Sequence, residues 1–381
     1  MFPIPEYAAE IIAIIKNAGY EAYAVGGCVR DALLGTEAAD VDVTTSAPPQ
    51  IIQELFPHSV LTGGRFFTVT VLYNGGKAEV TPFRSEGRYS DSRRPDSVTF
   101  ASDLLEDLKR RDFTMNSVCF DGERIIDPLG GKDDIDARII RCVGNPAQRF
   151  DEDALRIMRT FRFSAQLGFK IERETLSAAL VSSHKLRSIS VERIRDELFK
   201  TVISPAPEQI APLLDCGALS FLNLNSSPML NMIKKLNSDL PTRMSAFINM
   251  CGRDSAGILK LTTRLKRFVR GVFEALDSLP SPTDTGVKLA MRRFSSEVFV
   301  TAAEIANKIY GKSAEYSNIC RRVIENGEPY RVSDLALNGT DLIKAGVPEK
   351  EIGANLERML NEVIKSPDMN TRDSLMKIIT E

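Results

Sequence analysis

The sequence predicts an α+β protein, a small mixed-sheet head followed by an all-helical remainder. Short apolar runs punctuated by Gly and Pro fill the first 140 residues. From Asp151 the strand signals fade, and leucine-rich segments with helical spacing continue nearly to Glu381. Those segments are broken at Pro205-Ala206-Pro207, Pro280-Ser281-Pro282 and Glu328-Pro329. At about 150 residues per domain, the 381 residues make two or three domains.

Within the head, residues 4–18 read as a helix with Ile11, Ile14, Ile15 and Ala18 on one stripe, stopped by Gly19. Ala22-Tyr23-Ala24-Val25 is a strand, followed by a Gly26-Gly27 turn and a helix through Leu33-Leu34 to Gly35. Val41 and Val43 alternate with polar residues in a second strand. Pro48-Pro49 opens a helix reaching Phe56, because proline is tolerated in a first turn. Residues 67–73 and 77–83 form a hairpin across Asn74-Gly75-Gly76.

Composition excludes several function classes. Hydrophobic residues are 43% and charged residues 26%, as in an ordinary soluble protein. Apolar runs such as Ile11-Ile12-Ala13-Ile14-Ile15 fall far short of the ~20 residues of a membrane span. The N-terminus lacks the basic flank and cleavage site of a signal peptide. Cys28, Cys119, Cys142, Cys216, Cys251 and Cys320 lie far apart with no Cys-x-x-Cys pair, which predicts free thiols in a reducing cytoplasm. His58 and His184 alone do not support histidine-rich metal chemistry. The net charge of −2 hides basic clusters at Lys109-Arg110-Arg111, at Arg156, Arg159 and Arg162, and at Arg264, Lys266, Arg267 and Arg270. Their number keeps RNA open as a partner.

The sharpest local signal is Asp40-Val41-Asp42. In a strand, residues two apart share a face, so both carboxylates point one way while Val41 points to the core. Such charges repel unless a cation sits between them. Glu79, in Ala78-Glu79-Val80-Thr81, adds a third acid. Three oxygen ligands suit Mg²⁺, and two such ions can clamp the attacking and leaving oxygens of a phosphoryl displacement. The preceding Gly26-Gly27 turn lets backbone N–H groups approach phosphate, with Arg30 close by.

Gly26-Gly27-Cys28-Val29-Arg30-Asp31 with Asp40-Val41-Asp42 resembles the first motif of the class II nucleotidyltransferases of the polymerase-beta superfamily, the tRNA nucleotidyltransferases (CCA-adding enzymes) and bacterial poly(A) polymerases. Asp91-Ser92-Arg93-Arg94-Pro95-Asp96 resembles the family's flexible-loop motif, and Arg110-Arg111-Asp112-Phe113-Thr114-Met115-Asn116 the next one. Glu152-Asp153-Ala154-Leu155-Arg156, with Arg159 and Arg162, resembles the nucleotide-selecting helix. Val191-Glu192-Arg193-Ile194-Arg195-Asp196-Glu197-Leu198 resembles the last motif. One departure is Phe67-Thr68, where the family usually has Gly-Thr.

The resemblance implies a polymerase-beta-like head at 1–140, a helical neck at 141–200, a helical body at 201–280 and a helical tail at 281–381 that binds tRNA. It makes Asp40 and Asp42 the metal ligands and Glu79 the third carboxylate. It assigns nucleotide binding to Gly26, Gly27, Arg30, Arg111, Asp112, Glu152, Asp153, Arg156, Arg159 and Arg162, and the flexible loop to Asp91 and Arg94. On a continuous helix Asp153 and Arg156, three apart, are surface neighbours. Their acceptor and donors complement the Watson–Crick edges of cytosine and adenine; guanine and uracil present the reverse order. Each mismatched group costs ~1–3 kcal/mol, so one pair admits CTP and ATP without a template.

The implied partners are CTP, ATP and the 3′ end and acceptor/T arm of tRNA, with no membrane and no protein partner. Ser333-Asp334-Leu335-Ala336-Leu337-Asn338-Gly339-Thr340-Asp341-Leu342-Ile343 and Ile352-Gly353-Ala354-Asn355-Leu356 resemble the tail segment that holds the outer corner of tRNA. The leading expectation is CCA addition, with A addition to tRNA ending in CC as the alternative. CC-adding members typically lack the Asp-x-x-Arg loop, which is intact here. A sequence pI near 6.0 disfavours poly(A) polymerase, and the intact acids disfavour a non-catalytic RNA-binding protein.

Overall fold

The computed structural model describes residues 3–37, 40–62, 67–86, 98–101 and 103–380. The chain divides into two compact units, residues 1–221 and 222–381.

The first unit is built on a seven-stranded mixed sheet. Its strands are β1 (Ala22–Val25), β2 (Val41–Thr45), β3 (Ser59–Leu61), β4 (Val69–Tyr73) and β5 (Gly76–Pro82). After the small ribbon of β6 (Arg84–Glu86) and β7 (Val98–Phe100) come β8 (Cys119–Phe120) and β9 (Ile125–Ile126). The spatial order is β3-β4-β5-β2-β1-β8-β9. All neighbours are antiparallel except β2 and β5, which run parallel with Asp42 opposite Glu79. Val41, Val43, Ala78 and Val80 are buried on one face, so the acids between them share the other.

The helices are α1 (Glu6–Asn17), α2 (Gly27–Leu33), α3 (Pro49–Leu55), α4 (Leu104–Lys109), α5 (Gly131–Asp136), α6 (Pro146–Glu152), α7 (Leu155–Leu167), α8 (Arg173–Val181) and α9 (Val191–Val202). The buried stripe of α1 is Ala8, Ile11, Ile12 and Ile15. It is rotated from the expected one: Ile12 faces the core, whereas Ala18 is the exposed C-cap.

The hairpin turns on Asn74 and Gly75 alone, with φ of 45° and 75°, the left-handed pair of a type I′ turn. Gly76 already belongs to β5, and a Cβ there would lie 2.3 Å from the Tyr7 ring. Phe67 precedes β4 at φ 57°, a conformation that favours glycine. Its ring packs on Phe100 with centroids 5.3 Å apart. The chain thus keeps a glycine-like backbone where it carries phenylalanine.

The second unit is helical. One core gathers Val272, Met291, Phe299, Ile305 and Val323; another gathers Leu342, Met359, Leu360 and Val363. Asn338 caps the helix Gly339–Lys344 by accepting from Thr340 N and Asp341 N, and Asp341 answers as a capping box. Among the described residues no helix is long and apolar enough to cross a membrane. All six cysteines are free thiols.

Candidate active site

Asp40 and Asp42 flank buried Val41, and Asp42 lies opposite Glu79. All three acids are exposed. Although the residue as a whole is exposed, its Oδ2 lies against the Gly26 turn, and desolvation by the surrounding protein pushes the Asp42 carboxyl above the usual carboxylate range. Arg111 opposes that rise, while Glu79 and Asp40 reinforce it by repulsion. Among the described residues no three His, Cys, Asp or Glu side chains converge closely enough to form a complete metal cage. Glu79, opposite Asp42 on the neighbouring strand, has Lys77 Nζ at 3.6 Å. The donor set that remains, hard carboxylate oxygens held at mutual repulsion on one face, fits a divalent cation completed by water and phosphate oxygens.

Gly26 has φ 81°, and a Cβ there would stand 3.3 Å from Asp42 Oδ2 and 3.7 Å from Arg111 Nη1. Glycine thus supplies both the conformation and the clearance beside the acid. Gly27 begins α2. Arg30, expected near phosphate, is instead buried: its Nε and Nη2 donate to Asp31 Oδ1, and Nη1 donates to Asn116 Oδ1 at 2.7 Å.

Sequence reasoning missed Asp107. This fully buried carboxylate accepts from Thr44 Oγ1 of β2, Arg84 N, Arg110 Nε and Nη2, and Arg111 Nη2 at 3.2 Å. Burial raises its pKa, but Arg111 and Arg110 outweigh that and hold it below the usual range. Asp107 ties Arg111 to the strand that carries Asp42. The i,i+3 and i,i+4 spacing of Asp107 to Arg110 and Arg111 was the available signal.

The nucleotide-selecting segment is not the continuous helix expected. α6 ends at Glu152, Asp153 is extended (φ −139°, ψ 104°), and α7 starts at Leu155. Asp153 accepts from Leu155 N at 3.0 Å, an Asx turn that starts α7, so it and Arg156 are not helical surface neighbours. Asp153 pairs with Arg193 at 2.9 Å. Arg156 is nine-tenths buried and donates to Glu152 Oε2 at 2.8 Å, Arg149 O and Arg110 O. Arg159 donates twice to Asp112 Oδ2, at 2.8 and 2.6 Å. Arg159 holds the Asp112 carboxyl down at about 2 against the opposing effect of burial. Arg162 forms a buried pair with Glu197 at 2.9 Å. Asp91 and Arg94 lie outside the described residues.

The family model described as the poly A polymerase head domain matches residues 22–141, which hold the whole acidic face. A second, described as a probable RNA and SrmB-binding site of polymerase A, matches residues 168–230. A CCA-adding enzyme of Anoxybacillus flavithermus is 42% identical over 92% of this chain and 91% of its own. Another, from Lactobacillus helveticus, is 36% identical over 98% of this chain and 96% of its own. The chain belongs to the CCA-adding enzyme family. It superimposes on the crystal structure of the Bacillus stearothermophilus CCA-adding enzyme in complex with CTP at a TM-score of 0.82, with 30% identity and coverage of 98% of this chain and 96% of that one. Membership makes the chain a nucleotidyltransferase. This family generally uses a divalent metal.

Proposed function

We propose that this chain adds CCA to the 3′ end of tRNA without a nucleic-acid template, using CTP and ATP and releasing pyrophosphate. The observation that carries the reading is the opposition of Asp42 and Glu79 on one sheet face beside the Gly26 turn, in a chain that CCA-adding enzymes match over 92% and 98% of its length.

Asp40 and Asp42 would hold Mg²⁺ as the divalent ion. Bound there, it would supply charge neutralisation at the triphosphate and a lowered pKa at the primer hydroxyl. Glu79 would orient that hydroxyl or take up its proton. Arg111, fixed by Asp107 at 3.2 Å, places a guanidinium beside Asp42 for phosphate oxygens. Asp153 and Arg156 would read the base edge, each already held by protein partners. Arg30, Asp112, Arg159 and Arg162 act as the frame behind that edge, since each is committed to a protein partner. Residues 1–140 serve as the catalytic head and 141–200 as the selecting neck. The chemistry needs no covalent enzyme intermediate and no compartment other than the cytoplasm.

The test offers labelled CTP or ATP to tRNA ending at the discriminator base, at C or at CC. Stepwise extension to CCA supports the reading. Extension of the CC-ended tRNA alone, by ATP, establishes A addition instead. Continued A addition to an unrelated RNA would make the chain a poly(A) polymerase.

A further inference from the structure

Both residues placed at the base edge are partly used up by the protein itself, and what they have left is specific. A carboxylate has about four lone-pair positions. Asp153 Oδ1 accepts from Leu155 N at 3.0 Å and from Arg193 Nη1 at 3.4 Å, while Oδ2 accepts from Arg193 Nη2 at 2.9 Å. One acceptor position remains, on Oδ2. Arg156 spends Nη1 on Glu152 Oε2 and Arg149 O and one Nη2 proton on Arg110 O. Its Nε–H and one Nη2–H remain as donors.

We propose that Arg193 is a positioning residue for base selection: it fixes the Asp153 carboxylate in one orientation, leaving a single acceptor that takes an exocyclic amino group and rejects a carbonyl oxygen. The proposal rests on Asp153 being the base-reading acid. A lone carboxylate at an extended residue between two helices could rotate and present a different edge to the base. A two-point contact to a guanidinium removes that freedom, because it fixes the carboxylate plane. Lysine, a point charge, would hold one oxygen and leave the plane free.

Arg193 is itself well placed to do this. It lies in the first turns of α9, four residues before Glu197, whose buried pair with Arg162 locks α9 to α7. Ile194 and Leu198 on the same helix are fully buried. The arginine therefore projects from a fixed element onto a residue of a helix junction, which is where outside support matters most. A strap that merely joined α9 to the start of α7 would look the same in outline, so the test must read base choice rather than activity alone.

Full-length Arg193→Gln, Arg193→Lys and Asp153→Ala are compared with the unsubstituted chain for kcat/KM with each of the four triphosphates, singly, on tRNA acceptors. Thermal unfolding reports integrity. Arg193→Gln is expected to raise UTP and GTP incorporation relative to CTP and ATP by about tenfold or more, with kcat for CTP changed by less than about threefold. Arg193→Lys should fall between the two, and it serves as the reporter if the glutamine variant does not fold. A folded Arg193→Gln with unchanged base ratios overturns the proposal, as does a uniform loss for all four triphosphates. If Asp153→Ala loses selectivity while Arg193→Gln keeps it, Arg193 alone falls. If Asp153→Ala also keeps selectivity, the base-reading role of Asp153 falls with it.

Discussion

The acidic sheet face and the α6–α7 junction treat charge in opposite ways. On the sheet, Asp40, Asp42 and Glu79 repel one another; desolvation by the surrounding protein, joined by Glu79 and Asp40, raises the Asp42 carboxyl despite the nearby Arg111, and Glu79 has only a loose partner in Lys77 at 3.6 Å. At the junction every acid has a cation. Glu152 pairs with Arg149 at 2.5 Å and Arg156 at 2.8 Å, Asp153 with Arg193, Asp112 with Arg159 and Glu197 with Arg162. On the proposed reading, the face that would capture an ion is left electrostatically unfinished, so binding relieves it. The junction that would discriminate between similar edges is finished in advance, so recognition needs no rearrangement.

The largest test of that contrast is Asp42→Ala. Incorporation of both CTP and ATP should fall on the order of 10³-fold or more, while the melting temperature holds or rises because a repelled carboxylate has gone. Near-normal turnover in a single-turnover assay would erase the distinction. Arg156→Ala strikes the finished site: UTP or GTP uptake should rise about 10- to 100-fold relative to CTP and ATP in a four-nucleotide competition, with chemistry persisting. Unchanged choice would mean that the paired charges there serve structure alone.

Asp112→Asn sharpens the comparison through pH. The Asp112 carboxyl sits at about 2 when folded and near 3.9 when unfolded, a depressed pKa. Its stabilisation is present above the unfolded value and is lost as pH falls through the folded one. The variant should lose about 2 kcal/mol at neutral pH. Melting temperature against pH should then be flatter than in the parent chain between about pH 4 and 2. The smallest effect is expected from Lys77→Ala. Its pair with Glu79 spans 3.6 Å with both side chains about half exposed, so thermal stability should change by less than about 1 kcal/mol.

Much of the head was legible in the sequence because its signals are local. The valine alternation around Asp42, the paired prolines that open α3 and the Asn74-Gly75 turn each fix backbone shape within a few residues. The break at Asp153 was hidden by Leu155, Met158 and Phe161, whose helical spacing hides an Asx turn just before them. The Asp112–Arg159 and Asp153–Arg193 pairs join residues 47 and 40 apart, and no period in the chain encodes such meetings. Asp107 escaped for a different reason: an acid beside arginines on a short helix reads as a solvated surface, whereas the fold turns it wholly inward.

The parallel pairing of β2 with β5 sets when the acidic pair can exist at all. Parallel neighbours cannot be joined by a tight hairpin, and here α3, β3 and β4 are threaded between the two strands. During synthesis Asp42 leaves the ribosome well before Glu79, and the two face each other only after the β4–β5 hairpin has closed and docked. On the proposed reading, an ion held by Asp40 and Asp42 thus meets the Glu79 carboxylate only in the completed sheet.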